Sequence, residues 1–237
     1  MQRADARKVR VLYDGKPRWN LIWDNNPRLA RPEEEGDFQI LHARVSGRRQ
    51  YIAAYDSQRF TWQAYTPHRG EIYLSDEERK FAEQYASRLI IEPHIKPGAS
   101  QNKNWGWARW LKLAKQLRDN GIRYTQLGPP GAKPLEGAEF VMPSIRQADA
   151  IVAKARGVIT HEGALHHIAA AFNVPSIVLR GGFISPAVTG YDGQFDFFVG
   201  DDLGCGMRVR CEHCDAAMAS IKPTDVLMAL DEIRETA

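Results

Sequence analysis

No apolar run in this chain approaches the ~20 residues that a membrane-spanning helix needs. The start is polar and Arg-rich and carries no apolar signal-peptide segment. There is no internal repeat and no low-complexity tract. A soluble, cytoplasmic protein is the expectation. Cysteine is scarce as well: Cys205, Cys211 and Cys214 stand alone and close together. An odd, clustered set argues against the disulfide framework of a small secreted domain. With His213 these thiols have the ligand chemistry of a metal site. Against that reading, the spacing lacks a second Cys-x-x-Cys pair, and a neighbouring His and Cys rarely both reach one ion. The alternative is three reduced thiols in a compact loop. Net charge is also small, +3 over 237 residues, and does not by itself indicate a nucleic-acid partner.

What is present is a 43% hydrophobic composition, enough for a substantial core in one large or two small domains. The first 31 residues are basic, with eight Lys and Arg against Asp5, Asp14 and Asp24. Such a start suits a phosphate-bearing acceptor, a nucleic acid, an acidic membrane surface or a plain solvated face. Val9–Tyr13 and Asn20–Trp23 have the look of short strands. The stretch 37–74 is irregular and aromatic-rich. Ser75-Asp76-Glu77-Glu78 is a capping box that predicts a helix to about Arg88.

From residue 88 onward the pattern becomes regular. Leu89–Glu92 and Ser176–Leu179 are apolar runs suited to buried parallel strands, and Tyr124–Leu127, Phe140–Met142, Val158–Ile159 and Phe195–Val199 are read as the other strands. Helical periodicity falls between them, with Trp107, Trp110, Leu111, Ala114 and Leu117 assigned to one face of the first long helix. Pro223-Thr224-Asp225 opens a final helix. Alternating strands and helices imply a parallel sheet with right-handed crossovers. Ligands of such sheets bind beyond the C-terminal strand ends. The loops 93–105, 128–134, 161–163 and 180–186 should therefore open on one edge. Gly98 and Ser100 offer donors and room, Lys103 a positive charge, and Gly128 ends the second loop's strand. His161-Glu162-Gly163 precedes a helix whose N-terminus favours an anion. Glu162 can accept from sugar hydroxyls, and Gly181 and Gly182 break the following strand. Each also has a plain structural reading: a solvated lysine, an ordinary βαβ turn, tryptophans filling a core.

Two of these stretches together resemble a known family. Pro97-Gly98-Ala99-Ser100-Gln101-Asn102-Lys103-Asn104-Trp105, with its helix and strand ending in glycine, is similar to the nucleotide-sugar half of the heptosyltransferase-like glycosyltransferases (glycosyltransferase family 9, GT-B fold). Thr160–Gly182 resembles the same family's Asp-Thr-Gly-x-x-His signature with its helix, proline, strand and glycine. The resemblance covers about 88–237. It implies a Rossmann-like nucleotide-sugar-binding domain of GT-B C-terminal type over 88–237, behind a reduced acceptor-side region over 1–87. It implies an inverting transferase that moves a sugar from a nucleotide-diphosphate donor to a carbohydrate or lipid-linked saccharide, with no metal at the chemical step. Lys103 matches the family's phosphate-contacting lysine. His167, counted from Pro175, matches the signature histidine, and Glu162 the signature acid, which leaves the turn glycine displaced by one residue. The catalytic base is open among Asp14, Asp24 and His167. A non-catalytic module that needs a partner chain, a homo-oligomer and an enzyme acting on modified nucleic acid also stand as readings.

Overall fold

The computed structural model describes residues 7–43, 49–96 and 98–235; Asp5 and Pro97, named above, lie outside them. The N-terminal region forms a small sheet. In it β1 (Val9–Tyr13) pairs antiparallel with β2 (Lys16–Pro17) and parallel with β3 (Gln39–Ala43). Asp14, at φ 50°, and Gly15 make the tight turn between the first two. Asn20–Trp23 is not a strand. The Asn20 side chain accepts from the Ile22 amide and caps a 3-10 turn over Leu21–Trp23, the local bonding that asparagine offers in place of a ladder. A hairpin follows, β4 (Ile52–Tyr55) with β5 (Phe60–Trp62), where the sequence suggested only irregular chain.

The predicted helix after Ser75 forms as α1 (Asp76–Ala82) with the expected capping box. It ends early, in a 3-10 turn over Glu83–Tyr85, because the chain reverses at Ser87. Ser87 takes φ 59° and donates its amide to the Lys154 carbonyl. Then come β6 (Leu89–Glu92), α2 (Trp107–Asp119), β7 (Tyr124–Leu127), β8 (Glu139–Val141), α3 (Ile145–Lys154), β9 (Gly157–His161), α4 (Ala164–Ala171), β10 (Ser176–Gly181), α5 (Pro186–Thr189), β11 (Gln194–Phe198), α6 (Glu212–Ser220) and α7 (Pro223–Glu235).

The six strands β6–β11 form one sheet in the order β11-β10-β9-β6-β7-β8, every pair parallel. The chain begins in the middle, winds outward through β7 and β8, then returns to wind the other way. β6 and β9 therefore diverge at a topological switch point, where their outgoing loops leave a crevice. Helices cover both faces. Leu89 and Ile91 point to a layer of Trp105, Trp110, Leu113 and Leu117 with Val226 and Leu230, all 2% exposed or less. Ile90, on the alternate face, packs with Ile151, Val152, Leu165 and Ile168.

The hairpin is part of this body. Ile52 and Trp62 pack with Phe183, Ile184, Val188 and Cys214, and the Trp62 indole donates to the Phe183 carbonyl at 3.0 Å. On the far side α1 is tied to α3 by Arg146, whose guanidinium makes paired 2.7 Å bonds to the Glu78 carboxylate.

The core-facing stripe of α2 differs from the sequence expectation by one position. Leu113 is fully buried, whereas Leu111 is 41% exposed. Leu113→Ala should cost about 2–5 kcal/mol and Leu111→Ala less than about 0.5 kcal/mol, read as shifts in urea midpoint. Equal losses would overturn this orientation of the helix.

Candidate functional site

The crevice at the switch point is a cavity of about 440 Å³, and its floor is made by the two central strand ends. Glu92 closes β6 and His161-Glu162-Gly163 closes β9. The 3-10 turn over Gln101–Lys103 brings Lys103 across from the first loop. Its ammonium donates to the Glu162 carboxylate at 2.8 Å and to the Glu162 carbonyl at 3.0 Å. Both side chains are largely buried, 15% and 9% exposed. Two of the three ammonium donors are thus used by Glu162, which leaves the third for a ligand. Burial works to raise the Glu162 carboxyl, but Lys103 beside it, with His166 and Arg180, outweighs that and holds it at about 2. The pair is therefore charged on both sides.

Gly163 caps α4 with no side chain. It needs no unusual backbone shape, with φ 172°, and a Cβ there would meet nothing nearer than 3.9 Å. Its role is to leave open space over a helix N-terminus, where the first amides lack intrahelical acceptors. The Gly163 amide itself donates to His166 Nδ1 at 3.0 Å, and His166 Nε2 meets the Thr189 carbonyl at 3.1 Å. His166, fully buried and lowered to about 3 by that burial, is thus a structural neutral imidazole. Counted from Gly163, Gly-x-x-His ends on this residue; counted from Pro175, the signature position is His167. The two imidazoles divide the labour: His167 lines the cavity, with Nδ1 2.7 Å from the Tyr191 hydroxyl, and burial lowers its pKa also.

His161, read from sequence as local structure, lines the cavity as well. Its Nε2 accepts the Trp105 amide at 3.2 Å, and burial lowers its pKa to about 3. The neutral ring then carries its proton on Nδ1, which is buried and has no partner among the described residues. Glu92 is a second residue that sequence reasoning passed over. Burial pushes its carboxyl up to about 7, only partly offset by a 3.2 Å bond from the Thr160 hydroxyl. The strand-end position after three apolar residues was the available signal. Arg49 and Tyr51, bonded to each other at 2.7 Å, wall the opening from the hairpin side.

A second, more apolar hollow of about 310 Å³ adjoins the first through Glu92, His94, Ile95, Lys96 and Ala164. It is lined further by Leu127, Gly128, Pro129, Ile145 and Ile168. Gly128 is there for space: a Cβ would meet Phe140 at 3.0 Å and the His94 ring at 3.2 Å.

Other predicted residues lie elsewhere. Gly98 is exposed at the loop tip with φ 79°. The Ser100 hydroxyl accepts the Asn102 amide and donates to the Met207 carbonyl, so it shapes the turn that carries Lys103. Gly181 and Gly182 do not open on the crevice, and the fourth expected loop turns back instead. A Cβ on Gly181 would strike Met218, and one on Gly182 would strike His213. Asp24 is held by the Trp19 indole and Arg31, while Asp14 belongs to the β1–β2 turn; neither lines the cavity. A still larger hollow, about 730 Å³, lies between residues 64–69 and 186–196, away from the charged pair.

Four of the eight basic residues in the first 31 are ion-paired in the fold. Arg7 pairs with Asp37, Lys8 with Glu34, Arg28 with Glu71 and Arg31 with Asp24.

A doubly wound α/β sheet with a charged crevice at its switch point is a nucleotide-binding architecture of the Rossmann type. Residues 48–190 match glycosyltransferase family 9 (heptosyltransferase), and the chain belongs to that family. The match begins some forty residues before the stretch that the sequence motifs covered and ends at Gly190. The fold is shared with E. coli ADP-heptose LPS heptosyltransferase II, at 20% identity over 70% of this chain and 54% of that one, TM-score 0.54. It is shared too with a glycosyltransferase family 9 protein from Veillonella parvula, at 15% identity over the same shares, TM-score 0.55. This chain thus spans about half the length of those structures. No curated protein matches it in sequence. None of the helices among the described residues is long and apolar enough to cross a membrane.

The raised Glu92 carboxyl has a consequence for stability. Its folded pKa lies above the ordinary 4.5, so its contribution is full below about pH 4.5 and is lost as pH rises through about 7. Glu92→Gln removes that loss. The stability difference, variant minus wild type, should climb by about 3 kcal/mol across this window in urea melts at stepped pH. Parallel curves would show an ordinary, solvated carboxylate.

Proposed function

We propose that this chain is a glycosyltransferase that takes its sugar from a nucleotide-diphosphate donor bound in the switch-point crevice. The observation that carries the proposal is the Lys103–Glu162 contact, which joins the first and third loops on the rim of the cavity. The diphosphate rests on the α4 N-terminus, with Lys103 directed to its oxygens. The apolar hollow beyond Gly128 receives the nucleobase, and Glu162 or the Glu92 carboxyl receives hydroxyls of the ribose or sugar. As the anomeric carbon–oxygen bond breaks, the electron pair leaves with the diphosphate. Fixed positive groups take up that charge without reorganising. The acceptor hydroxyl, from a carbohydrate or lipid-linked saccharide, attacks from the opposite face, entering past Arg49 and Tyr51. Its proton goes to His167, which burial keeps neutral and so able to accept it. The reaction inverts the anomeric centre and places the protein in the cytoplasm, where nucleotide sugars are made.

One observation supports a second reading. Asp14 and Asp24 stand away from the cavity, so neither supplies the base there, and a group from a partner chain or a second copy of this one is the second reading. Residues 1–87 would then complete an acceptor side only in an assembly. The nucleic-acid reading loses its support with the ion-paired N-terminal basic residues.

Titration with ADP-, GDP-, UDP- and CMP-sugars tests the proposal. One of them should bind, with thermal stabilisation of the protein, and no response to any would end it. Lys103→Met should weaken donor binding by about 2–3 kcal/mol, roughly 30- to 150-fold. It also strands the buried Glu162 charge, so Lys103→Met combined with Glu162→Gln should recover stability without recovering affinity. Restored affinity in the pair would remove Lys103 from the diphosphate.

A further inference from the structure

The three thiols and His213, already close in sequence, converge in the fold. Cys205 leaves the β11 loop between Gly204 and Gly206, whose φ of 96° and 67° let the chain wrap around it. Cys211 caps α6, and His213 and Cys214 lie in the first turn of that helix. The Sγ atoms of Cys205 and Cys211 are 3.9 Å apart, those of Cys205 and Cys214 3.0 Å, and Cys214 Sγ is 3.8 Å from His213 Nδ1. All four ligand atoms lie within 4.8 Å of one another. A tetrahedral ion with metal–sulfur bonds of about 2.3 Å requires S–S edges of about 3.8 Å and slightly shorter S–N edges. Two of the three measured edges are at that length. Gly182 is the clearance for the imidazole, since a Cβ there would sit 2.5 Å from the His213 ring. Neighbouring His and Cys can share one ion here because the helix turn brings both side chains to the same flank, where Cys205 arrives from another loop.

We infer that Cys205, Cys211, His213 and Cys214 form a structural site for a thiophilic divalent ion of the zinc type. The site has four protein ligands and no open position, as structural rather than catalytic sites do. Its place in the fold gives the ion two things to hold. The buried Asn102 side chain donates to the Met207 and Val209 carbonyls at 2.7 and 2.8 Å and accepts the Cys211 amide at 2.9 Å. The ligand loop is thereby locked to the turn that carries Lys103. On its other side the Gly206 carbonyl accepts the Phe60 amide, and the Arg208 guanidinium donates to the Asp56 carbonyl, so the same loop grips the β4–β5 hairpin.

The full chain, stripped with a chelator under reducing conditions and titrated with cobalt(II), should take up one equivalent and show the intense visible bands of a tetrahedral thiolate complex. Elemental analysis of protein purified without chelator should find about one zinc, or another thiophilic ion such as iron, per chain. Cys205→Ser and Cys214→Ser should lose the metal. In wild-type protein, chelation should lower the melting temperature and raise hydrogen exchange at residues 101–104. These readouts are independent of any donor sugar. Absence of cobalt bands in the reduced wild type would overturn the site whatever the variants do. So would metal retained in both Cys variants, or thiol titration showing a Cys205–Cys214 disulfide in place of three reduced thiols.

Discussion

A buried ammonium and a buried carboxylate, Lys103 and Glu162, face each other where the sheet changes winding direction. Neither tolerates that depth alone: an isolated charge there would cost several kcal/mol, and each compensates the other. The pair needs β6 and β9 side by side, since their exits place the two loops in reach. It also needs the Trp105 anchor, whose indole donates to the Ile221 carbonyl and whose amide orients His161. Around this contact the site has a consistent electrostatic plan. Cations and a helix terminus sit over a floor of imidazoles kept neutral by burial, and one carboxyl is held near its protonation point. Such a plan suits an anionic ligand that gains charge during the reaction.

The parallel sheet was legible because short strands alternate with periodic helices from Leu89 onward, and the central strands β6, β9 and β10 are buried along their length. Convergence of the loops at 93–105, 128–134 and 161–163 then followed from topology, while the loop at 180–186 did not join them. Lys103, Glu162 and Gly163 could be placed at the crevice since each stands directly at a strand exit or helix entry. The remainder depended on contacts between segments distant in sequence. Gly181 and Gly182 have the composition of a ligand loop, but their hydrogens make room for Met218 and His213. His161 and Glu92 owe their interest to environment: an imidazole whose tautomer is chosen by a tryptophan amide, and a carboxyl desolvated beside Thr160. The β4–β5 hairpin escaped notice because its partners are Phe183, Ile184 and Val188, more than a hundred residues on.

The N-terminal region shows how charge counts mislead when read linearly. Eight basic residues in the first 31 suggest a polyanion surface, yet three of them, Arg7, Lys8 and Arg28, find acids further along at Asp37, Glu34 and Glu71, and Arg31 pairs with Asp24. Arg10 has another use for its charge, with its guanidinium over the Phe38 ring at 4.3 Å. What remains is a patchwork of surface pairs, each of small energetic weight.

The indole–carbonyl bond from Trp62 to Phe183 sets the smallest piece of this chain able to stand alone. A fragment beginning at Arg88 would keep all six parallel strands but would bare Phe183, Ile184 and Val188 to water, and would leave the loop around Cys205 without the backbone it hydrogen-bonds at Phe60. A piece that keeps these contacts therefore starts upstream of Ile52. Any transplant of the six-stranded sheet into another protein has to carry the hairpin with it.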